Sequence, residues 1–316
     1  MTDLEHIERT IARHKWGKEP DGLYEPIRYL MSLGGKRLRP MLVILAYRMY
    51  RNDWRSILPY AVAVEAFHNF TLMHDDIMDQ APLRRNKPTV HQKWNVNTAI
   101  LSGDVMLVQV YQMLAGLEPQ LLKEALPLFN RTAREVCEGQ QMDMEFELRN
   151  NVTVAEYLKM IRLKTAVLLG FSLQFGALLA GAPAADQKKL YNLGIAVGTG
   201  FQLKDDLLDV YGDQQKFGKQ VGGDIISNKK TFLLIHALTL AKGHNRKELD
   251  QWLAAREFRP EEKVKAVTEI YDRLNIAGIT RKKIDGYFRS GFRLLKSLPG
   301  SAALAGYAQE LMDRDR

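Results

Sequence analysis

Cysteine is almost missing from this chain: Cys137 stands alone among 316 residues. A single thiol excludes an internal disulfide framework and a thiolate zinc cluster, so a reducing cytoplasm is expected, with Cys137 as a small buried apolar residue. Proline and glycine, with 11 and 23 copies, are scattered, and no low-complexity run, short repeat or linker separates two halves. One domain over residues 1–316 is the expectation, and 46% apolar residues supply an ample core. The N-terminal MTDLEHIERTIARHKW alternates charged and apolar residues and lacks the hydrophobic centre of a signal peptide.

Long uncharged runs are nearly absent as well. The exception, Thr165 to Ala185, has the length to cross a bilayer. Ser172, Gln174, three glycines and Pro183 dilute and break it, so a buried helix is expected there and no transmembrane segment. The net charge of +8 comes without an RNA-binding aromatic signature, zinc finger or basic heptad. Its distribution favours anionic small substrates over nucleic acid, and TRKKIDGYFRSGFRLLK, from Thr280 to Lys296, reads as a solvated helix face. Gly218-Lys219 is no P-loop, because Gly212 lies one position too far upstream and Gln220 replaces the Ser or Thr.

Helical periodicity is what the chain has in abundance. LRPMLVILAYRMY, YAVAVEAFHNFTLMHDDIMD, AILSGDVMLVQVYQMLAGL and KKLYNLGIAVGTGFQLKDDLLDVYG are too long and too apolar for strands, and alternating β patterns are almost absent. The fold class is therefore all-α. Breakers at Gly34-Gly35, Pro82, Pro88, Pro119, Gly181 to Pro183, Gly222-Gly223 and Pro260 separate the segments. About ten helices packed around one cavity is the simplest architecture.

Two of these helices carry acidic clusters of one form, Asp75-Asp76-Ile-Met-Asp79 and Asp205-Asp206-Leu-Leu-Asp209. At roughly 100° per residue, Asp75 shares a face with Asp79, and Asp205 with Asp209. Like charges in apolar surroundings repel and desolvate at a cost unless cations are supplied. Oxygen-only sets suit hard divalent ions, and Mg²⁺ bridges a few carboxylates to a substrate phosphate. Arg84 and Arg85 follow the first cluster, Lys219 and Lys229 the second, and Lys36, Arg37 and Arg39 precede both. Such cations suit an anionic ligand held from several sides. His68 lies about 20° from Asp75 on the same helical face.

The chain resembles the trans-isoprenyl diphosphate synthases, or polyprenyl synthetases. Gly34-Gly35-Lys36-Arg37-Leu38-Arg39-Pro40 is similar to the family's GGKRxRP, and His68 to Asp79 with Leu83-Arg84-Arg85 to its first aspartate-rich motif. Ser102-Gly103-Asp104, Gly139-Gln140 with Asp143, and Lys164-Thr165 follow in order. Phe201-Gln202 to Asp209 is similar to the second aspartate-rich motif, with Gly218-Lys219, Gly223-Asp224 and Lys229 behind it. Asn86 departs from the pattern, standing where the family usually has Gly, and Asn adopts left-handed backbone less readily.

The resemblance implies the isoprenoid synthase fold, a homodimer, and condensation of isopentenyl diphosphate with an allylic diphosphate by a Mg²⁺-dependent prenyltransferase. By that resemblance Asp75, Asp79 and Asp205, supported by Asp76 and Asp209, would hold about three Mg²⁺ on the allylic diphosphate. Arg84, Lys164, Gln202, Lys219 and Lys229 would assist, and Thr165 with the carbonyl near Lys164 would stabilise the allylic cation. Lys36, Arg39, His68 and Arg85 would bind isopentenyl diphosphate. Product length would be set on the helix beneath the first aspartates, where Phe70 precedes the small Thr71 and Phe67 lies one turn below Thr71. That pattern favours geranylgeranyl over farnesyl diphosphate. A class I terpene cyclase would carry a different second metal motif, and a non-catalytic subunit would tend to lose one of the two.

Overall fold

The computed structural model describes residues 1–212 and 222–313. Residue contacts fall into two compact units, Met1–Arg131 with Phe171–Leu190, and Thr132–Gly170 with Tyr191–Arg316. The boundaries fall inside long helices, α7 (Pro119–Glu147), α9 (Val167–Leu179) and α10 (Ala184–Tyr211).

In the first unit, α1 (Asp3–Arg13) starts on a capping box of Thr2 and Glu5. After α2 (Asp21–Ser32), Gly34 and Gly35 take φ of 73° and 131°, conformations that a side chain would strain, and α3 (Leu38–Arg48) begins. The following α4 (Leu58–Met78) opens with Pro59, whose fixed φ suits a first turn. Ala61, Val62, Ala63, Val64, Ala66 and Phe67 are buried along it. Small residues let α4 pack closely on α6 (Val96–Leu114), and a Cβ at Gly103 would lie 2.2 Å from His74 Nε2. Rings of Phe67, Phe129, Phe171 and Phe175 continue the core, at centroid separations of 5.1, 5.9 and 5.1 Å along that order.

Between α4 and α6 the chain makes a hairpin that the periodicity does not foresee. Strand β1 (Leu83–Arg84) pairs antiparallel with β2 (Lys87–Pro88), and Arg84 lies opposite Lys87. The two loop residues, Arg85 and Asn86, have φ of 53° and 60°, as a type I′ turn demands. Asn86 thus accepts the left-handed backbone usually given to glycine. The short α5 (Val90–Lys93) completes the connection.

In the second unit, α8 (Val154–Ile161) starts on a capping box of Thr153 and Glu156 and runs into a π turn over Arg162–Ala166. Gly139 of α7 permits this turn to approach, since a Cβ there would meet Lys164 N at 2.2 Å. Further along, Gly194 would meet the Gly170 Cα at 2.5 Å and Gly198 the Ala166 Cα at 2.7 Å if either carried a methyl group. This seam of small residues lets α10 lie backbone to backbone against the π turn and the first residues of α9. Helices Gly223–Ile226, Phe232–Leu240, Gly243–Ala254, Pro260–Arg273, Ile276–Leu295 and Ala302–Asp313 follow. Ile276–Leu295 buries Thr280, Ile284, Phe288, Gly291 and Leu295 while Lys282, Arg289 and Arg293 face outward, the solvated cationic face expected of it.

The uncharged stretch behaves as a core helix: in Val154–Leu179, 78% of the most apolar window is buried inside the protein. Cys137 is corrected, because it is exposed. Thr132, Val136 and Gly139 form the buried stripe of α7 there, and one residue beyond Val136 the helix has turned by about 100°.

Candidate active site

The last turn of α4 sorts its three aspartates by direction. Asp79 N–H donates to the Asp75 carbonyl at 2.8 Å, so both remain on one face, Asp75 half-buried and Asp79 exposed. Asp76, one residue round, is 2% exposed. It accepts a fork from Arg84, at 2.8 Å from Nε and 2.6 Å from Nη2. Burial raises the Asp76 carboxyl above the ordinary carboxylate range although Arg84 pulls the other way. The same Arg84 Nη2 stands 3.9 Å from Asp75 Oδ2. Asp76 is thereby an anchor that aims Arg84 along the Asp75 face.

A basic pocket lies in the same unit. Arg85 donates to the carbonyl of Gly34, and a Cβ on Gly35 would fall 2.7 Å from the Arg85 Cζ. The two glycines therefore form the seat of this guanidinium. Burial lowers Arg39 to about 10, with Glu65 opposing and Arg85 adding to the effect. Its Nε is buried without a hydrogen-bond partner among the described residues. His68, half-buried, is held well below the usual histidine range by burial first and then by Arg39, Arg84, Arg85 and Arg37. It is a neutral imidazole among cations. Lys36 is exposed. Arg37 differs from the expectation of a ligand-facing group: it is buried, 2.9 Å from Glu65, 2.8 Å from Glu8 and 2.7 Å from the Met31 carbonyl. Glu65 and Glu8 already neutralise it.

Beneath the first cluster, Phe67 is 1% exposed and packs on Phe129 and Phe70, whereas Phe70 is 8% exposed and touches the His74 ring at 4.9 Å. Thr71 is half-buried, its hydroxyl donating to the His68 carbonyl at 2.7 Å.

The second unit assembles the other predicted residues around the π turn. Such turns expel backbone groups from the regular ladder and often mark function. Lys164 Nζ lies 2.7 Å from Asp143 Oδ2, and Lys229 Nζ 3.9 Å from the same oxygen. Burial works against ionising Asp143, yet Lys229 and Lys164 outweigh it and hold the carboxyl below its usual range. Thr165 Oγ1 donates to Gln202 Oε1 at 3.1 Å, and Gln202 Nε2 donates to Asp206 Oδ1 at 3.1 Å.

Asp206 parallels Asp76. It is 6% exposed and accepts from the Tyr157 hydroxyl on its second oxygen. Burial and the nearby Asp224 push it up to about 7, while Tyr157, Gln202 and Lys229 favour the ionised form. Asp205 and Asp209 are half-buried. Asp209 Oδ2 accepts the Asp224 N–H at 2.9 Å. Lys219 lies outside the described residues. Among the described residues no three His, Cys, Asp or Glu side chains are gathered into a ready-made metal cage. Tyr157 is the contributor that sequence reasoning missed. Its signal was its place, seven residues before Lys164 on the face that α8 buries.

Known proteins resemble this chain in sequence and in fold. The chain is 42% identical over 234 residues to a geranylgeranyl diphosphate synthase of Methanosarcina mazei, covering 73% of this chain and 72% of the relative. It is 36% identical over 266 residues to a geranylfarnesyl diphosphate synthase of Natronomonas pharaonis, covering 75% and 78%. The crystal structure of a geranylgeranyl pyrophosphate synthase superposes with a TM-score of 0.93 at 40% identity, over 100% of both chains, which identifies the all-α isoprenoid synthase fold. The sequence profile described as polyprenyl synthetase matches residues 20–271, a span that holds both aspartate clusters, the basic pocket and the π turn. With fold, motif order and residue identity in agreement, the chain belongs to the polyprenyl synthetase family.

Proposed function

We propose that this protein is a Mg²⁺-dependent short-chain trans-prenyltransferase that joins isopentenyl diphosphate to an allylic diphosphate, with geranylgeranyl diphosphate as its product. The observation that carries the reading is the basic pocket: Arg39 and Arg85 beside a neutral His68, with Arg39 Nε buried and lacking a partner among the described residues. A pocket of that kind is complete only with an anion, and forked donors match a diphosphate.

The donors Asp75, Asp79, Asp205 and Asp209 are all carboxylates, which fits Mg²⁺; an ion that takes one or two carboxylates plus phosphate requires no ready-made cage. Bound there, the metal would neutralise charge on the departing diphosphate. Arg84, aimed by Asp76, would meet the same leaving group, and Lys164, Lys219 and Lys229 would add positive charge. The allylic C–O bond breaks, leaving a cation that the Thr165 oxygen and the backbone of the π turn would stabilise. Lys36, Arg39 and Arg85 would hold the second diphosphate so that its double bond attacks that cation. A neutral His68 would hydrogen-bond there without adding repulsion. The new C–C bond forms, and the expelled diphosphate takes the proton lost.

A homodimer in the cytoplasm is part of the proposal. Ile100, Leu101, Val108 and Tyr111 leave an apolar stripe on α6 at 41, 58, 55 and 39% exposure, a surface suited to a second copy.

Incubation with Mg²⁺, isopentenyl diphosphate and separate allylic primers, followed by chromatography of the dephosphorylated products, tests the reading. The twenty-carbon alcohol is expected, with loss of product on chelation. Fifteen or twenty-five carbons would revise the chain length alone, and no product from any primer would overturn the activity.

A further inference from the structure

Asp206 sits inside a metal motif, yet its surroundings give it a different task. Both of its oxygens are already used: Oδ2 accepts from the Tyr157 hydroxyl and Oδ1 accepts from Gln202 Nε2 at 3.1 Å. Tyr157 is 2% exposed and Asp206 6%, so water does not compete for these bonds. The chain of contacts continues from Gln202 Oε1 to the Thr165 hydroxyl at 3.1 Å.

The order of donors matters. Asp206 Oδ1 is the acceptor of that bond, so it holds the NH₂ side of the Gln202 amide toward itself. The amide oxygen is then left facing Thr165, and the only hydrogen of that hydroxyl must point at it. The lone pairs of Thr165 Oγ1 are thereby left for another neighbour, which is the polarity required beside a cation. With the amide reversed, Gln202 would donate to Thr165, occupy a lone pair and release the hydroxyl hydrogen to point outward. A positive charge would then meet the wrong end of the dipole.

We propose that Tyr157 is a positioning residue for prenyl transfer: by holding Asp206 it fixes the Gln202 amide and, through it, the orientation of the Thr165 hydroxyl. The inference rests on the proposed function for the presence of the cation, and on the hydrogen-bond network for everything else. Tyr157 is suited to this because it stands on α8, which continues directly into the π turn bearing Thr165. It ties that helix to α10 at the same carboxylate that Gln202 uses.

The test is Tyr157→Phe, which removes the hydroxyl and keeps the ring, assayed alone and combined with Thr165→Val. Single-turnover condensation should slow by about tenfold in Tyr157→Phe, with the Michaelis constants of both diphosphates changed by less than about twofold. In the Thr165→Val background the same change should cost almost nothing further, since the group it orients has gone. A purely structural role would instead lower both affinity and rate, and the loss would multiply undiminished in the double variant. That result, or unchanged turnover in Tyr157→Phe, overturns the proposal. Gln202→Leu provides a second entry: it should reproduce the rate loss and abolish any further effect of Tyr157→Phe.

A crystal structure of Tyr157→Phe separates this inference from the function it rests on. Displacement of Gln202 from Asp206 or Thr165 is expected, and an unmoved network overturns the positioning role whatever the assay finds. If the wild-type protein transfers no prenyl group, the functional reading fails by itself and the crystal arm still decides the network.

Discussion

Gly139 and Lys164 are packed so closely that a methyl group on the glycine would lie 2.2 Å from the lysine backbone nitrogen. The neighbouring Leu163 carbonyl carbon would be 2.7 Å away. Both contacts are backbone and cannot swing aside. Gly139 is therefore the reason α7 can lie against the π turn that presents Lys164 and Thr165.

Gly139→Ala should destabilise the protein by about 1–3 kcal/mol and reduce turnover more than that loss alone explains, because the turn carrying Lys164 and Thr165, both proposed to act in the site, must shift. Gly286→Ala is the matched control. Nothing lies within 4 Å of a Cβ there, and the residue is exposed in the middle of Ile276–Leu295. It should stabilise by about 0.5–1 kcal/mol with unchanged activity. Urea unfolding and steady-state assays of the two variants measure this, and equal stabilities would refute the packing argument.

The basic pocket predicts a difference between the two substrates. Arg39→Ala should raise the Michaelis constant for isopentenyl diphosphate by about tenfold or more, and that for the allylic primer much less. Arg39→Lys should recover only part of the loss, because an ammonium cannot supply the guanidinium fork. Initial rates with each substrate varied in turn decide it; equal or reversed effects would reject the division of sites.

These two predictions differ in how far the sequence alone could have supplied them. The helices, and the breaks at Gly34-Gly35, Gly181 to Pro183 and Pro260, follow from local preferences that a single chain displays. The outward pair of each acidic cluster follows from helical period. The same period also places Asp76 and Asp206 about 100° from Asp75 and Asp205. What it does not reveal is that Arg84 and Tyr157 wait on the inner side. The π turn was not legible because Gly139, distant in sequence, decides whether it can be accommodated. Arg37 illustrates the same limit: only the approach of Glu65 and Glu8 distinguishes its buried ion pairs from the buried, partnerless Nε of Arg39 among the described residues.

The start of α8 carries a pH dependence whose sign is determined. Glu156 accepts from Thr153 N–H and Thr153 Oγ1 at 2.8 Å each and pairs with Arg149 at 2.8 Å. The backbone donor first, then Arg149 and the hydroxyl, lower its carboxyl from 4.5 to about 2. Since the folded state favours the ionised form, this support is fully present above about pH 4.5 and is lost as pH falls toward 2. Glu156→Gln should be less stable than wild type at pH 7, with the gap closing across that window. Urea midpoints at pH 7, 4.5 and 3 measure it, and a gap that stays constant would show that the carboxylate contributes nothing through its charge.

Chain length is the prediction where structure sharpens the sequence reading most. Phe67 and Phe70 both lie below the first aspartates, but they are embedded differently. Phe67, at 1% exposure, is the edge-on partner of Phe129 and continues into the Phe171 and Phe175 stack, so its removal should cost about 3–5 kcal/mol. Phe70 touches only Phe67 and His74 among the ring contacts of the described residues and retains 8% exposure. Phe70→Ala should therefore open volume for a growing tail at a smaller cost in stability, and yield products longer than twenty carbons at a similar rate of primer consumption. Phe67→Ala should also lengthen the product wherever it remains folded, and the double variant should lengthen it furthest. Chromatography of the dephosphorylated alcohols, with melting temperatures measured on the same samples, separates the two effects. An unchanged product in both single variants and in the double variant would reject α4 as the element that measures the chain.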